Sequence, residues 1–218
     1  QDRTIDLQAD LMRYTVDTIA GLAFGAEVNT LESDGDIIQQ HLDKIFPALF
    51  RRLFAPLPYW RLIRLPADRE LDRSMVEVLA AVDRFVAQAR ARLQADPARR
   101  EHPHNLLEAM IVAADAPDSG IDDAQVAGNV LTMLLAGEDT TANTLAWMID
   151  LLWRHPATLA RATDEVRRVA GDARELTLEH MAQLDYVEAC AHEAMRLKPV
   201  APILVLQAER DSTIGDGT

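Results

Sequence analysis

The apolar helix pattern of residues 122–155 constrains the fold more than any other feature of this chain. It reads DDAQVAGNVLTMLLAGEDTTANTLAWMIDLLWRH, with apolar side chains on nearly every face of a helix. Asp122 followed by Gln125 predicts a capping box at its start, and Pro156 predicts its end because proline lacks the backbone donor. At about 1.5 Å of rise per residue the helix is roughly 50 Å long. We therefore predict a buried central helix in a mainly α-helical fold.

The polar segment AGEDTT, residues 136–141, interrupts this apolar pattern. Glu138 and Asp139 are acids, and a buried carboxylate is costly unless it is paired or hydrogen-bonded. A threonine hydroxyl inside a helix competes for the carbonyl one turn back. The segment thus predicts a locally opened helix around a polar pocket. A kinked core helix whose acid points to solvent is the alternative that the spacing leaves open.

Two motifs in this order resemble the signatures of one family. AGEDTT is similar to the [AG]Gx[DE]T[TS] motif in the long distal helix of the cytochrome P450 family, the haem-thiolate monooxygenases. HEAMR, which contains Glu193 and Arg196, is similar to the ExxR motif that follows downstream in that family. The resemblance implies a cytochrome P450-like helical bundle around residues 122–155, with the start of a small β-sheet over residues 199–218.

The resemblance also assigns roles within the central helix. Ala136 and Gly137 would face the plane of a haem, where small side chains leave room for oxygen. Thr140 would hold the bound oxygen species and a water molecule, and Asp139 would relay protons from solvent. The cofactor of the complete protein would be haem b with its iron, and O2 would be the co-substrate.

Glu193 and Arg196 would form a structural ion pair. Residues three apart project from neighbouring turns of one helix face, where a bidentate carboxylate–guanidinium pair can form. In the family this pair belongs to a buried network with a residue from a later segment, so we expect the network to be incomplete here. The arginine that binds a haem propionate in many members would fall at Leu206, with Arg210 further on, so the resemblance supplies no propionate-binding arginine at that position.

No metal ligand is expected in this chain. The family's axial cysteine follows the ExxR helix in a glycine-rich loop, so we expect an internal fragment that is inactive alone. Cys190, the one cysteine, lies inside a helix and is predicted to pack in the core as a small hydrophobe. HEAMR has Arg196 where a zinc HExxH motif needs histidine, and His102 and His104 are predicted to be solvated.

The composition excludes some partners. A formal net charge of −13 argues against nucleic acid. The resemblance implies a small hydrophobic organic substrate and an electron-donor protein or reductase domain, with membrane association undetermined. We expect a cytoplasmic location if the parent protein has no N-terminal membrane anchor. The alternative from another functional class is a non-catalytic helical ligand-binding or interaction module, or a decayed gene product.

The flanking segments are predicted to complete one partial domain. In the first helix, residues 5–25, the predicted apolar face is Leu7, Leu11, Tyr14, Thr15, Thr18, Ile19 and Leu22. The charged residues of the helix after Pro156, among them Arg161 and Glu165, are read as a solvated face. The predicted order is peripheral helices (1–55), a proline-rich lid loop (56–66), the lid and following helix (67–121), the central helix (122–155), helices with ExxR (156–198) and the sheet (199–218).

The proline-rich loop 56–66 resembles the lid that covers the substrate channel in the family. Its apolar residues would line the entrance or touch a membrane surface. A partly buried loop anchor is the alternative reading, since isolated exposed aromatic residues are ordinary. The residues concerned are Tyr59, Trp60, Leu62 and Ile63.

Overall fold

The computed structural model describes residues 5–33, 38–203 and 209–210, and the chain is mainly α-helical, as predicted. No strand occurs in these ranges, and most of the predicted sheet at residues 199–218, including Leu206, lies outside them. A 3-10 turn is formed by Tyr59–Arg61. The helices are α1 (Leu7–Phe24), α2 (Ile38–Leu42), α3 (Ile45–Leu53), α4 (Pro66–Ala95), α5 (Ala98–Glu101), α6 (Leu106–Ala114), α7 (Asp123–Arg154), α8 (Pro156–Ala170), α9 (Leu178–Met181) and α10 (Asp185–Leu197).

The chain forms two compact units, Gln1–Ala146 and Trp147–Thr218. The prediction of one partial domain stays a prediction. Among the described residues, no helix is both long enough and apolar enough to cross a membrane.

The first unit is built on α4, which packs against α2, α3 and α6. Its buried side chains recur every three or four residues, the period of a helix with one apolar face. The rings of Phe24 and Phe85 stack with centroids 5.9 Å apart and tie α1 to α4. The buried residues of α4 are Asp68, Leu71, Ser74, Val78, Ala81, Val82, Phe85, Val86, Ala89 and Leu93.

The buried face of α1 differs from the predicted one. Leu22 is 77% exposed and Tyr14 is also exposed, whereas Val16, Ala20 and Phe24 are fully buried. The buried residues Val16, Ala20 and Ala23 lie three or four apart on a face that is about one residue further round the helix than the predicted one. The predicted face was therefore wrong at these positions.

Two buried acids of the first unit are neutralised by arginines. Asp68 accepts a hydrogen bond from Arg52 at 2.9 Å and one from the backbone N–H of Leu65 at 3.1 Å. Glu108 is fully buried and accepts from Arg92 at 3.0 Å and Arg99 at 2.8 Å. Both carboxylates thereby meet the requirement that a buried charge be paired.

The proline-rich loop 56–66 buries part of its aromatic residues and exposes its aliphatic ones. Tyr59 and Trp60 are half-buried and meet edge to face, with ring centroids 5.4 Å apart. The Arg52 guanidinium lies 5.6 Å from the centre of the Trp60 ring. Leu62 and Ile63 are exposed. The aromatic pair thus anchors the loop.

The second unit contains α8, α9 and α10, with Pro156 at the first turn of α8 and Gly171 at its end, as predicted. Glu165 does not lie on a solvated face, because its side chain is only 12% exposed. Its carboxylate accepts hydrogen bonds from the backbone N–H groups of Tyr186, at 2.9 Å, and Val187, at 2.9 Å. Because Leu184 offers no capping side chain to α10, Glu165 of α8 satisfies these first-turn donors.

Candidate functional site

The start of α7 is fixed by the predicted capping box. The backbone N–H of Gln125 donates to Asp122 Oδ1 at 2.8 Å, and the backbone N–H of Asp122 donates to Gln125 Oε1 at 2.9 Å. These reciprocal bonds satisfy two donors that the helix leaves unpaired. They set the register of every residue that follows in α7.

The helix is unbroken through AGEDTT, so the prediction of a local opening was wrong. The threonine hydroxyls do reach back one turn, from Thr140 to the Ala136 carbonyl at 2.6 Å and from Thr144 to the Thr140 carbonyl at 2.7 Å. They add a second donor to each carbonyl instead of displacing the helical one, because a carbonyl oxygen has two lone pairs. The helical hydrogen bonds therefore survive.

The two sides of α7 differ in character at the motif. Ala136 and Thr140 lie one turn apart on the exposed face. The opposite face is buried and is formed by Val126, Val130, Leu134, Glu138 and Ala142. Residues four apart share a helix face, so Glu138 continues the buried apolar stripe.

Gly137 lies against α1. A Cβ atom at this position would be 2.9 Å from Ile19 Cδ1, closer than side chains pack. The absence of a side chain therefore permits the close approach of α1 and α7. The resemblance had assigned Gly137 to the haem plane together with Ala136, and the structure gives the two residues different surroundings.

Asp139 is half-buried at one end of a short polar chain. Asn143 Nδ2 donates to Asp139 Oδ1 at 3.3 Å, and Gln8 Nε2 of α1 donates to Asn143 Oδ1 at 2.7 Å. Burial raises the pKa of the Asp139 carboxyl, and the hydrogen bond from Asn143 opposes that shift. Asp139 thus keeps its proton to a higher pH than an exposed aspartate.

A cavity of about 480 Å³ opens beside this part of α7. Four carboxyl groups line it, Asp6, Asp43, Glu138 and Asp139, and we name the last three the acid cluster. Burial raises the pKa of Glu138 to about 9, and the charges of Asp43 and then Asp139 add to the shift. The sequence reading did not select Glu138 as the buried acid. Its position four residues after Leu134 in the apolar stripe was the signal that could have identified it.

Glu193 and Arg196 form the predicted bidentate pair. Arg196 Nε donates to Glu193 Oε2 at 2.7 Å, and Arg196 Nη2 donates to Oε1 at 2.7 Å. Both side chains are more than half exposed. The hydrogen bond from Arg196 holds the pKa of Glu193 below its usual value.

Cys190 lies in the second unit beside an apolar cavity of about 380 Å³, together with Met148 and Leu151. Its thiol is half-buried, and burial raises its pKa. A cysteine acts as a metal ligand through its thiolate, so these surroundings disfavour that role. Within the described ranges, no three His, Cys, Asp or Glu side chains are placed to hold a metal ion. His102 and His104 are exposed, as predicted.

Comparison with known proteins gives the class to which this architecture belongs. The family model described as Cytochrome P450 matches residues 1–218. The chain therefore belongs to the cytochrome P450 family.

Individual relatives are similar along nearly the whole chain. The self-sufficient cytochrome P450 monooxygenase CYP505AG1 of Oidiodendron maius is 30% identical over 98% of this chain and 19% of its own length. Cytochrome P450 97B2, chloroplastic, of Glycine max is 27% identical over 98% of the chain and 38% of its own length. The taurochenodeoxycholic 6 alpha-hydroxylase of Sus scrofa is 26% identical over 100% of the chain and 44% of its own length. The chain thus spans less than half the length of each of these relatives.

Proposed function

We propose that this chain supplies the oxygen-activating helix of a haem-thiolate monooxygenase. The complete enzyme inserts one oxygen atom from O2 into a small hydrophobic organic substrate and receives electrons from a donor protein or reductase domain. The observation that carries the proposal is the arrangement on α7. Ala136 and Thr140 share an exposed face of small side chains, and Asp139 lies next to them beside a cavity.

The exposed face of α7 fits a flat cofactor. Ala136 contributes only a methyl group and Thr140 turns its hydroxyl back to the helix, so no bulky side chain from these positions obstructs a planar ring. A Cβ atom at Gly137 would meet Ile19; the place of Gly137 at the haem plane stays a prediction, and the proposal rests on Ala136 and Thr140. Haem, when bound, supplies an iron that binds O2 and accepts electrons.

In this proposal, Asp139 and Thr140 hold and donate protons. Asp139 holds a proton on its carboxyl at a higher pH than usual and lies between the cavity and the exposed face. Thr140 can turn its hydroxyl from the Ala136 carbonyl toward the exposed face and donate there. Proton transfer by positioned side chains of this kind contributes about 10² to 10⁴ in rate.

The axial thiolate comes from outside this chain in our proposal, and the chain by itself is inactive. The half-buried Cys190, with its raised thiol pKa, is a poor candidate. We place the complete protein in the cytoplasm if it has no N-terminal membrane anchor.

The test is the difference spectrum of the complete protein, reduced and treated with carbon monoxide. We expect the long-wavelength band of a thiolate-ligated haem, and no such band from the 218-residue chain alone. A complete protein that folds but takes up no haem would instead support the non-catalytic ligand-binding module. A carbon monoxide band typical of a histidine-ligated haem would contradict the proposed ligand.

A further inference from the structure

The cavity beside α7 combines charge with an apolar surface. The acid cluster lies on one part of its lining. Leu42, Phe46 and Phe50 line another part, and we name these three the apolar wall. All six residues belong to the first unit. Such a lining suits a ligand with a cationic head and a hydrocarbon body.

Glu138 is a buried acid without a cation. It is 3% exposed, it lines the cavity, and within the described ranges its Oε1 has no hydrogen-bond partner. The other two buried acids, Asp68 and Glu108, are each paired with arginine. An unpaired buried carboxylate is costly, so Glu138 holds its proton instead, and it has no arginine partner of the kind that Asp68 and Glu108 have.

The charged groups around the cavity leave this deficit in place. Asp6 stands at the start of α1 and adds another acid to the lining. Burial and the charge of Asp139 raise the pKa of Asp43, and the hydrogen bond from Gln39 and the charge of Arg13 on α1 oppose that shift without cancelling it. Gln39 donates its amide to Asp43 and brings no charge. The net charge around the cavity is therefore negative whenever the carboxyl groups of the acid cluster are ionised.

A metal ion is a poor match for this lining. Hard divalent ions need six or more oxygen ligands at about 2.0 to 2.6 Å. In the part of the chain that the structure describes, no three acidic, histidine or cysteine side chains meet that requirement. An organic cation requires no such coordination shell, and its hydrocarbon part gains free energy from burial against apolar side chains.

We propose that this cavity is a binding site for a primary alkylammonium ion, with the ammonium group against the acid cluster and the alkyl chain against the apolar wall. The site lies toward the buried side of α7, where Glu138 points away from Ala136 and Thr140. The site shares Asp139 with the proposed function, whereas Glu138 and the apolar wall lie away from the proposed haem-facing surface.

The ammonium ion pairs best with the ionised form of Glu138. Since burial raises the pKa of Glu138 to about 9, this carboxyl holds its proton at pH 7 and must release it when the cation binds. An alkylammonium group keeps its charge up to about pH 10. Affinity therefore rises with pH, by up to about tenfold from pH 7 to pH 8.

The experiment is titration calorimetry of the full 218-residue chain with n-octylammonium chloride. Neutral n-octanol serves as the control with the same hydrocarbon chain. We expect octylammonium to bind at least about tenfold more tightly than octanol, the factor that corresponds to about 1.4 kcal/mol. The observed heat should differ between phosphate and Tris buffers, because binding at pH 7 releases a proton.

The variant Glu138→Gln keeps the size of the side chain and removes its charge. It should weaken octylammonium binding at least about tenfold, abolish the proton release and leave octanol binding unchanged. Asp43→Asn should weaken binding in the same direction. Glu101→Gln, at an exposed acid outside the cavity, is the matched control and should bind as the natural chain does.

Three results would overturn the proposal. These are equal affinity for octylammonium and octanol, unchanged affinity in Glu138→Gln, or an affinity independent of pH. Should Glu138→Gln fail to fold, carbon-13 spectra of the natural chain decide. The Glu138 carboxyl resonance must move to its ionised position on saturation with octylammonium, and a resonance that stays in place refutes the site.

Discussion

Three consecutive residues of α7 lie in three different environments. Glu138 is buried, Asp139 is half-buried and Thr140 is exposed. Each residue turns about 100° around the helix from the one before it, at 3.6 residues per turn. A continuous helix therefore places two acids with raised pKa values beside the cavity and a hydroxyl on the opposite face.

At Thr140 we predict a loss of coupling. In the complete enzyme, Thr140→Ala removes the hydroxyl that we propose donates a proton on the exposed face. Product formed per electron pair should fall by about tenfold or more, with hydrogen peroxide released instead, because a positioned proton donor is lost. The measurement is product and peroxide yield per reduced cofactor consumed.

Thr132→Ala is the matched control for this substitution. The Thr132 hydroxyl makes the same bond to the carbonyl one turn back, to Gly128 at 2.8 Å, and is also exposed. Its removal should leave coupling unchanged, and Thr140→Ser should retain most of it. Normal coupling in Thr140→Ala would exclude the assigned role.

We predict that Glu138→Gln stabilises the chain, and that the gain in the free energy of unfolding grows with pH. The unfolded chain releases this proton near 4.5 and the folded chain near 9. Between these values the native state holds one more proton, so ionisation opposes folding and stability falls as pH rises. Glu138→Gln should gain stability over the natural chain by about 1.4 kcal/mol for each pH unit from roughly pH 5 to pH 8.

Urea unfolding across that pH range measures the difference. Glu108→Gln provides a contrast of opposite sign, because Arg92 and Arg99 lose a buried partner. Burial raises the pKa of Glu108, but the His104 N–H and the two arginines together hold it below its usual value. A difference between Glu138→Gln and the natural chain that does not change with pH would show that Glu138 is already ionised in the folded state.

The starts of α7 and α8 are set by local signals. The capping box of α7 and the first-turn proline of α8 involve residues within one turn, so the sequence predicted both helix starts correctly. The role of Glu165 depends on α10 lying beside α8, a contact between segments separated along the chain. A pattern of charges on α8 alone could not show it.

At the level of α1 and α7 we predict that Gly137 and Ile19 are energetically coupled. Gly137→Ala gains about 1 kcal/mol of helix propensity but forces the new Cβ against Ile19 Cδ1. The net change should be near zero or destabilising in the natural chain. With Ile19→Ala, which removes both Cδ1 and the Cγ1 atom at 3.3 Å, the same substitution should stabilise by about 0.5 to 1 kcal/mol.

Gly128→Ala tests whether the effect is specific. Gly128 lies on the same helix, is exposed, and has nothing within 4 Å of an added Cβ atom. It should stabilise the chain by about 1 kcal/mol in both backgrounds. Double-mutant cycles by urea unfolding give the coupling energies, and a value near zero for Gly137 and Ile19 would mean that the helices separate without cost.

Across the whole molecule, the predictable part is the part encoded by short motifs. The family, the mainly helical fold and the Glu193–Arg196 pair follow from two motifs and their spacing. The acid cluster does not, because Asp43 is distant from Glu138 in sequence and only packing brings them to one cavity. The sequence also did not predict that α7 stays continuous through AGEDTT. Whether a threonine hydroxyl displaces the helical hydrogen bond or shares its carbonyl depends on three-dimensional geometry.

For the complete protein we predict that Cys190 is dispensable for haem ligation. Cys190→Ala should keep the carbon monoxide spectrum of a thiolate-ligated haem, because the natural thiol is half-buried and its pKa is raised. Loss of that spectrum in a folded Cys190→Ala protein, with haem still bound, would identify Cys190 as the ligand. Circular dichroism provides the check on folding.

The carboxylate of Glu165 also determines how α10 is rotated. This carboxylate accepts hydrogen bonds from the backbone of Tyr186 and Val187. These bonds fix the rotation of α10 about its axis, and therefore the direction in which Glu193 and Arg196 point. Shortening this one side chain, as in Glu165→Asp, would therefore change the direction of the ExxR pair without altering either of its residues.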